Sequence, residues 1–182
     1  CSRKNEQRSR VFDEKEQKQL AMIEHVLSQA QSEMRALLLH LRPISLENKS
    51  LKSGIEGLLV ELQTKVQMKI HWDIEDVILP EGVEDHLFRI AQELLSNTLR
   101  HSHAKHLEVY LRQKDSNVIF KIEDDGIGFN VEDIHPGSYG INNMKERVQG
   151  LGGQVKIVSF PNQGTTIEIK IPLGRHLEGN YD

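Results

Sequence analysis

Glu93, Asn97, Arg100 and His101 follow one another at spacings of four, three and one. On a helix this puts a carboxylate, an amide, a guanidinium and an imidazole along one face. The first two offer hard oxygen ligands of the kind Mg²⁺ accepts when it binds phosphates and keeps several waters. Arg100 suits phosphate charge. An ordinary solvated helix face accounts for the same stripe. A second stretch, Asp124-Asp125-Gly126-Ile127-Gly128-Phe129, leaves a run with strand character. Its two glycines let the backbone turn sharply and approach a flat ligand, and an aspartate at a strand end can accept from an exocyclic amine. A plain tight turn fits it too. The third stretch, Gly137-Ser138-Tyr139-Gly140, leads into a helix whose first N–H groups favour phosphate. Gly164-Thr165-Thr166 then opens the last strand with hydroxyl donors and a small residue.

The elements that must position these residues show in the apolar periodicity. Leu20, Ile23, Leu27, Ala30, Met34, Leu37 and Leu41 alternate in steps of three and four, a heptad seam that Val26 and Leu38 widen. Asp13 is the expected N-cap and Pro43 the stop. Such a stripe needs a partner helix, so this segment predicts a bundle or dimerisation stem. Leu51, Ile55, Leu58, Leu62 and Val66 mark a second helix, and Ile70, Trp72 and Ile74 a half-buried strand. Pro80 is expected to open a third helix, with Val83, Leu87, Ile90 and Leu94 facing the core. Two strands follow, on Leu107, Val109 and Leu111 and on Val118, Phe120 and Ile122, with a hairpin at Lys114-Asp115-Ser116-Asn117. A helix is expected around Asn142 to Val148. Val155 and Ile157, a turn at Pro161-Asn162-Gln163-Gly164, and a strand of Ile167, Ile169 and Ile171 complete the pattern. Helices between mostly hairpin-linked strands predict an α+β sandwich, a mixed sheet with helices on one face.

Length and charge narrow the function. The 182 residues hold one domain with a good core and an extra helical element. Lys and Arg number 23 against 27 Asp and Glu, so no basic face suggests a nucleic-acid partner. The cluster Arg3, Lys4, Arg8 and Arg10 reads as a solvated terminus. Cys1 is the single cysteine, which excludes an intrachain disulfide and fits a reducing compartment. No apolar run approaches the roughly 20 residues that span a bilayer. The chain lacks an initial Met, so it is expected to be a piece of something longer. The phosphate-loop pattern Gly-x-x-x-x-Gly-Lys-Ser/Thr is missing, which excludes that cradle.

In their order, these segments resemble the boxes of the GHKL ATPase superfamily and, within it, the sensor histidine kinases. Gln92 to His101 is similar to the N box, Asp124 to Phe129 to the first glycine box, Gly137 to Ile141 to the second, and Gly164 to Thr166 to the third. Glu33 to Pro43 resembles the second dimerisation helix of the NarL-type subfamily, nearest to Gram-positive cell-envelope-stress sensors of the LiaS/VraS kind. The resemblance covers residues 16–173. It implies a Bergerat-type sandwich binding ATP and Mg²⁺. Asp124 would read the adenine amino group, Asn97 and Glu93 would serve the metal, and Glu93 would also act as the base or water-positioning group near the γ-phosphate. Arg100 and His101 would face phosphates or ribose. Gly126, Gly128, Phe129, Ser138, Tyr139, Gly140, Ile141, Gly164 and Thr165 would line the nucleotide, with residues 130–139 as its lid. It further implies a division into stem (1–43), catalytic domain (44–174) and tail (175–182).

By the same resemblance, the γ-phosphate passes to a histidine on a first dimerisation helix upstream of residue 1, then to a response-regulator aspartate. Partners would be ATP, that regulator and a second kinase subunit through the stem. The chain would be the cytoplasmic portion of a membrane-anchored bacterial sensor, attached only through upstream segments. Ser138 stands where many relatives keep glycine. His25 is followed by Val26 rather than an acidic residue, and reads as a stem surface residue. His101, His103 and His106 invite a zinc reading but lack a second ligand cluster, and His71 is assigned no chemistry. Competing functions are a GHKL-type ATPase with a transducer domain, for which no chain remains, a serine kinase without a heptad stem, and a non-catalytic nucleotide-binding or dimerisation module.

Overall fold

Alternating apolar residues put one face of each strand into a shared core. Leu107, Val109 and Leu111 of β2 (His106–Lys114) stand opposite Asp124, Ile122 and Phe120 of β3 (Asn117–Asp124), and Phe120 and Ile122 in turn meet Ile169 and Ile167 of β5 (Thr165–Pro172). The apolar side chains among these are buried. The computed structural model describes residues 16–24, 26–31, 33, 34, 37, 50–80, 82–134 and 139–173, with the Tyr139 side chain left aside. The sequence-based readings at Asp13, His25, Leu38, Leu41, Pro43, Gly137 and Ser138, on the first fifteen residues and on the tail lie outside the described residues.

The sheet has five strands in the order β1-β2-β3-β5-β4, with β1 (Lys69–Ile74) parallel to β2 and the remaining pairs antiparallel. A parallel neighbour requires a crossover. Helix α2 (Val83–Asn97) provides it and lays Leu87, Ile90, Ala91, Leu94 and Leu95 onto the sheet. Helix α1 (Leu51–Lys65) buries Leu51, Ile55, Leu58, Leu59 and Leu62 beside it. Helix α3 (Tyr139–Gly150), which leads into β4 (Gln154–Ser159), adds Met144 and Val148. The opposite sheet face is polar: Arg112 pairs with Asp73, Lys121 Nζ lies 2.6 Å from Glu123 Oε2, and both cations flank the Tyr110 ring. The mixed sheet with helices on one face is thus as the alternation implies.

Three boundaries move. Val66, expected on the α1 stripe, is the helix's extended C-cap and still packs on the core. Pro80 stands before α2 rather than in it, its carbonyl accepting from Val83 N at 3.1 Å, with Gly82 as the left-handed N-cap. Helix α3 begins at Tyr139, three residues before the expected Asn142. In the stem, the described residues from 16 to 37 are helical, and Leu20, Ile23, Leu27, Met34 and Leu37 expose apolar side chains along the expected seam.

Gly164 sets the join between β3 and β5. Its φ is +76°, and a Cβ there would sit 2.0 Å from the carbonyl oxygen of Asp124. Backbone cannot yield as a side-chain tip can, so Gly164→Ala combines left-handed strain with a clash. Denaturant unfolding of this variant should show a loss of roughly 2 kcal/mol or more.

Candidate functional site

Helix α2 does not stop at Asn97. It widens into a π-helical turn, Thr98–Ser102, and ends on His103 in the left-handed conformation, with φ +52°. Such turns recur at functional sites because they re-aim side chains. Here the turn carries Arg100 and His101 to the edge of a cavity of about 790 Å³, within the range of small-molecule sites. Glu93, Asn97, Arg100, His101, Asp124, Gly128, Phe129, Gly140, Ile141 and Thr165 all border it. Gly126 and Gly164 stand behind its wall, holding the backbone rather than lining the space. Ser138 and the Tyr139 side chain lie outside the described residues.

One side of the cavity's lining is apolar, formed by Leu94, Ile122, Ile127 and Ile167. Asp124 is half-buried there, and its Oδ1 accepts from Gly126 N at 2.9 Å. Burial pushes its carboxyl above the usual range, Asp125 adds to the rise, and the Gly126 N–H opposes it. Its second oxygen has no protein partner among the described residues. A flat heterocycle with an exocyclic amine matches this end.

The other end is polar. A Cβ added to Gly140 would lie 2.3 Å from Glu93 Oε1 and 3.3 Å from Asn97 Oδ1, so the two oxygens converge on one spot at the start of α3. Arg100 Nε bonds Ser96 Oγ at 3.1 Å, which anchors the guanidinium on its own helix. Partial burial, then the neighbouring Arg100, hold the His101 imidazole below its ordinary range. From the stem, Ser28 and Gln29 reach the cavity's border, and Glu33 opposes the His101 shift.

Several positioning groups gave no signal in the sequence. Ser159, buried at the end of β4, donates to Gly164 O at 3.0 Å, accepts from Phe129 N at 2.9 Å and lies 3.0 Å from Thr165 Oγ1. It ties two glycine boxes together. Ser102 O accepts from Ile127 N at 2.7 Å and thereby joins the π turn to the same loop. Asp125 Oδ1 accepts from Lys105 N and His106 N at 2.7 and 2.8 Å, and its Oδ2 meets His106 Nδ1 at 2.6 Å. His106 is thus engaged by Asp125, and among the described residues no three His, Cys, Asp or Glu side chains converge as a metal cluster.

Residues 82–175 match the family of histidine kinase-, DNA gyrase B- and HSP90-like ATPases. The chain belongs to that family. It is 48% identical over 161 residues to the sensor histidine kinase LiaS of Bacillus subtilis (strain 168), covering 88% of this chain and 45% of LiaS. It is 49% identical over 164 residues to the sensor protein VraS of Staphylococcus aureus (strain COL), covering 90% of this chain and 47% of VraS. The chain therefore spans less than half the length of these relatives. Among solved structures, the histidine kinase domain from the Erythrobacter litoralis EL346 blue-light activated histidine kinase superposes with a TM-score of 0.63 at 19% identity, over 81% of this chain and 76% of that one. The Acinetobacter baumannii histidine kinase AdeS gives 0.59 at 19% identity, over 86% and 81%. At such identities these two show the shared ATPase fold alone. Among the described residues, no helix is long and apolar enough to cross a membrane.

Burial raises the Asp125 carboxyl, but the His106 side chain and the backbone N–H groups of His106 and Lys105 outweigh it, and the net shift is downward. A depressed carboxylate stabilises the fold above its unfolded value and loses that contribution as pH falls through the folded one. Asp125→Ala should therefore cost about 1 kcal/mol at pH 7, modest because the pair is exposed. The gap to the unsubstituted protein should close below about pH 4, as followed by urea unfolding across pH.

Proposed function

We propose that this chain is the ATP- and Mg²⁺-binding catalytic portion of a two-component sensor histidine kinase. The observation that carries the reading is the cavity's polarity. A half-buried Asp124, with one hydrogen bond among the described residues, lies on an apolar side, while Glu93 and Asn97 converge at Gly140 in a lining that also holds Arg100 and His101. A purine nucleotide polyphosphate has that same division. Identity near one half with the sensor histidine kinase LiaS supports a histidine as the phosphoryl acceptor.

In this reading residues 1–43 are stem, 44–174 catalytic domain and 175–182 tail. Asp124 accepts from the adenine amine, and the apolar wall excludes water around the ring. Phe129, Gly140, Ile141 and Thr165 hold the nucleotide's flanks. Gly126, Gly128 and Gly164 keep the loop backbone in place, and Ser138 and Tyr139 belong to a lid over residues 130–139. Asn97 Oδ1 and a Glu93 oxygen are the protein's ligands for Mg²⁺, whose charge, when bound, offsets that of the phosphates. The remaining Glu93 oxygen orients the attacking nucleophile and takes up its proton. Arg100, fixed by Ser96, meets phosphate charge, and His101 donates or accepts at the rim.

The accepting histidine belongs to a helix upstream of residue 1, and a response-regulator aspartate takes the phosphoryl group next. A second subunit pairs through the stem's exposed apolar seam. Membrane attachment comes through upstream segments, with this portion on the cytoplasmic side.

Calorimetric titration with ATP, with and without Mg²⁺, tests the nucleotide site. We expect one saturable site whose affinity falls at least tenfold in Asp124→Asn. Because burial raises the Asp124 carboxyl, its ionised form destabilises the fold at neutral pH. The variant's melting temperature should hold or rise, which separates lost contact from lost fold. Absence of binding to the unsubstituted chain would remove the kinase reading and leave a non-catalytic module. Glu93→Gln should keep ATP affinity within a few-fold while slowing histidine phosphorylation by 10²-fold or more in a chain that carries the acceptor helix.

A further inference from the structure

Glu93 borders two cavities. Besides the nucleotide cavity, it lines a notch of about 120 Å³ between α2 and α3, with Arg89, Ile90, Gln92, Asn143, Met144 and Arg147. Arg89 stands one helical turn before Glu93, and Arg147 one turn after Asn143. Both arginines are exposed, and neither has an ion-pair partner among the described residues. Ile90 and Met144, fully buried, form the floor between them. Two guanidiniums against the single carboxylate of Glu93 leave the lining of this notch with a positive balance, in a chain of net charge -4.

We infer that this notch docks a carboxylate side chain of the protein segment that receives the phosphoryl group, and so sets the acceptor's approach to Glu93. The inference rests on the kinase reading. Nucleotide occupies the inner side of Glu93, so an acceptor must arrive from a side that Glu93 shares with the surface, and the notch is such a side. An acidic segment nearing a triphosphate is repelled by it. Arg89 and Arg147 offset that repulsion where transfer occurs, and their planar forks suit a carboxylate in two-point contact. Steering of this kind acts on encounter and is screened by salt.

The experiment uses the full-length chain with its acceptor helix and compares the unsubstituted protein with Arg89→Glu/Arg147→Glu and Arg89→Lys/Arg147→Lys. ATP affinity should stay within about twofold in both variants, which also reports an intact fold. Histidine phosphorylation should fall at least tenfold in the charge reversal and be largely kept in the lysine variant; added salt should slow it in the unsubstituted and lysine proteins and speed it in the reversal. Unchanged phosphorylation in the reversal would overturn the inference. A loss that tracks weaker ATP binding would overturn it too, assigning the arginines to nucleotide. Slowing confined to onward transfer would overturn it in favour of the response regulator as occupant. An unsubstituted protein that binds ATP but labels no histidine would sink the kinase reading, and the docking inference with it.

Discussion

Everything at the site depends on how closely the chain passes itself where β3 ends. Three backbones meet there: the loop leaving Asp124, the turn after β4 and the first residues of β5. Gly164 lies against the Asp124 carbonyl, and a Cβ on Gly128 would fall 2.1 Å from the Phe160 carbonyl oxygen. No side chain fits at either point, and both glycines have positive φ. This crowding fixes the direction in which Asp124 leaves the sheet. It is also why the buried hydroxyl of Ser159 matters: one oxygen satisfies an N–H and a carbonyl that packing has taken from water.

The electrostatic design follows from that constraint. A chain with a net negative charge places Asp124 where burial raises its pKa, and among the described residues gives it one hydrogen bond. An incompletely satisfied acceptor in an apolar pocket is costly to the empty fold and suits a donor-bearing ring. At the far end the burden is reversed. Glu93 and Asn97 bring oxygens together at the N-terminus of α3, and Arg100 and His101 border the same cavity. The two ends are joined by α2 and its π turn, so helix packing on the sheet sets the distance between them. Stability and ligand recognition therefore draw on the same core residues, Leu94, Ile122 and Ile167.

Much of this was legible in residue order. Period-two and period-three-to-four apolar spacing dictated strands and helices, because burial of one face is the dominant force on each element. The glycine positions and the stripe Glu93, Asn97, Arg100, His101 marked the site. Ten of the residues named from sequence border one cavity. Boundaries were less legible where local signals competed with packing. Pro80 looked like a helix start, yet Gly82 took the cap. Asn142 looked like the first helical residue, yet α3 starts early enough to bring Gly140 against Glu93.

The sequence by itself determined the class of fold and the chemical identity of the pocket, since both rest on side-chain type at short, regular spacing. Tertiary structure alone decided which groups hold the pocket in place. Ser159 reaches Phe129 across 30 positions, Asp125 reaches His106 across 19, and Arg89 and Arg147 share a notch only because α2 and α3 pack together. Contacts between residues so far apart follow from strand register and helix placement, which are properties of the whole core and leave no local pattern to read.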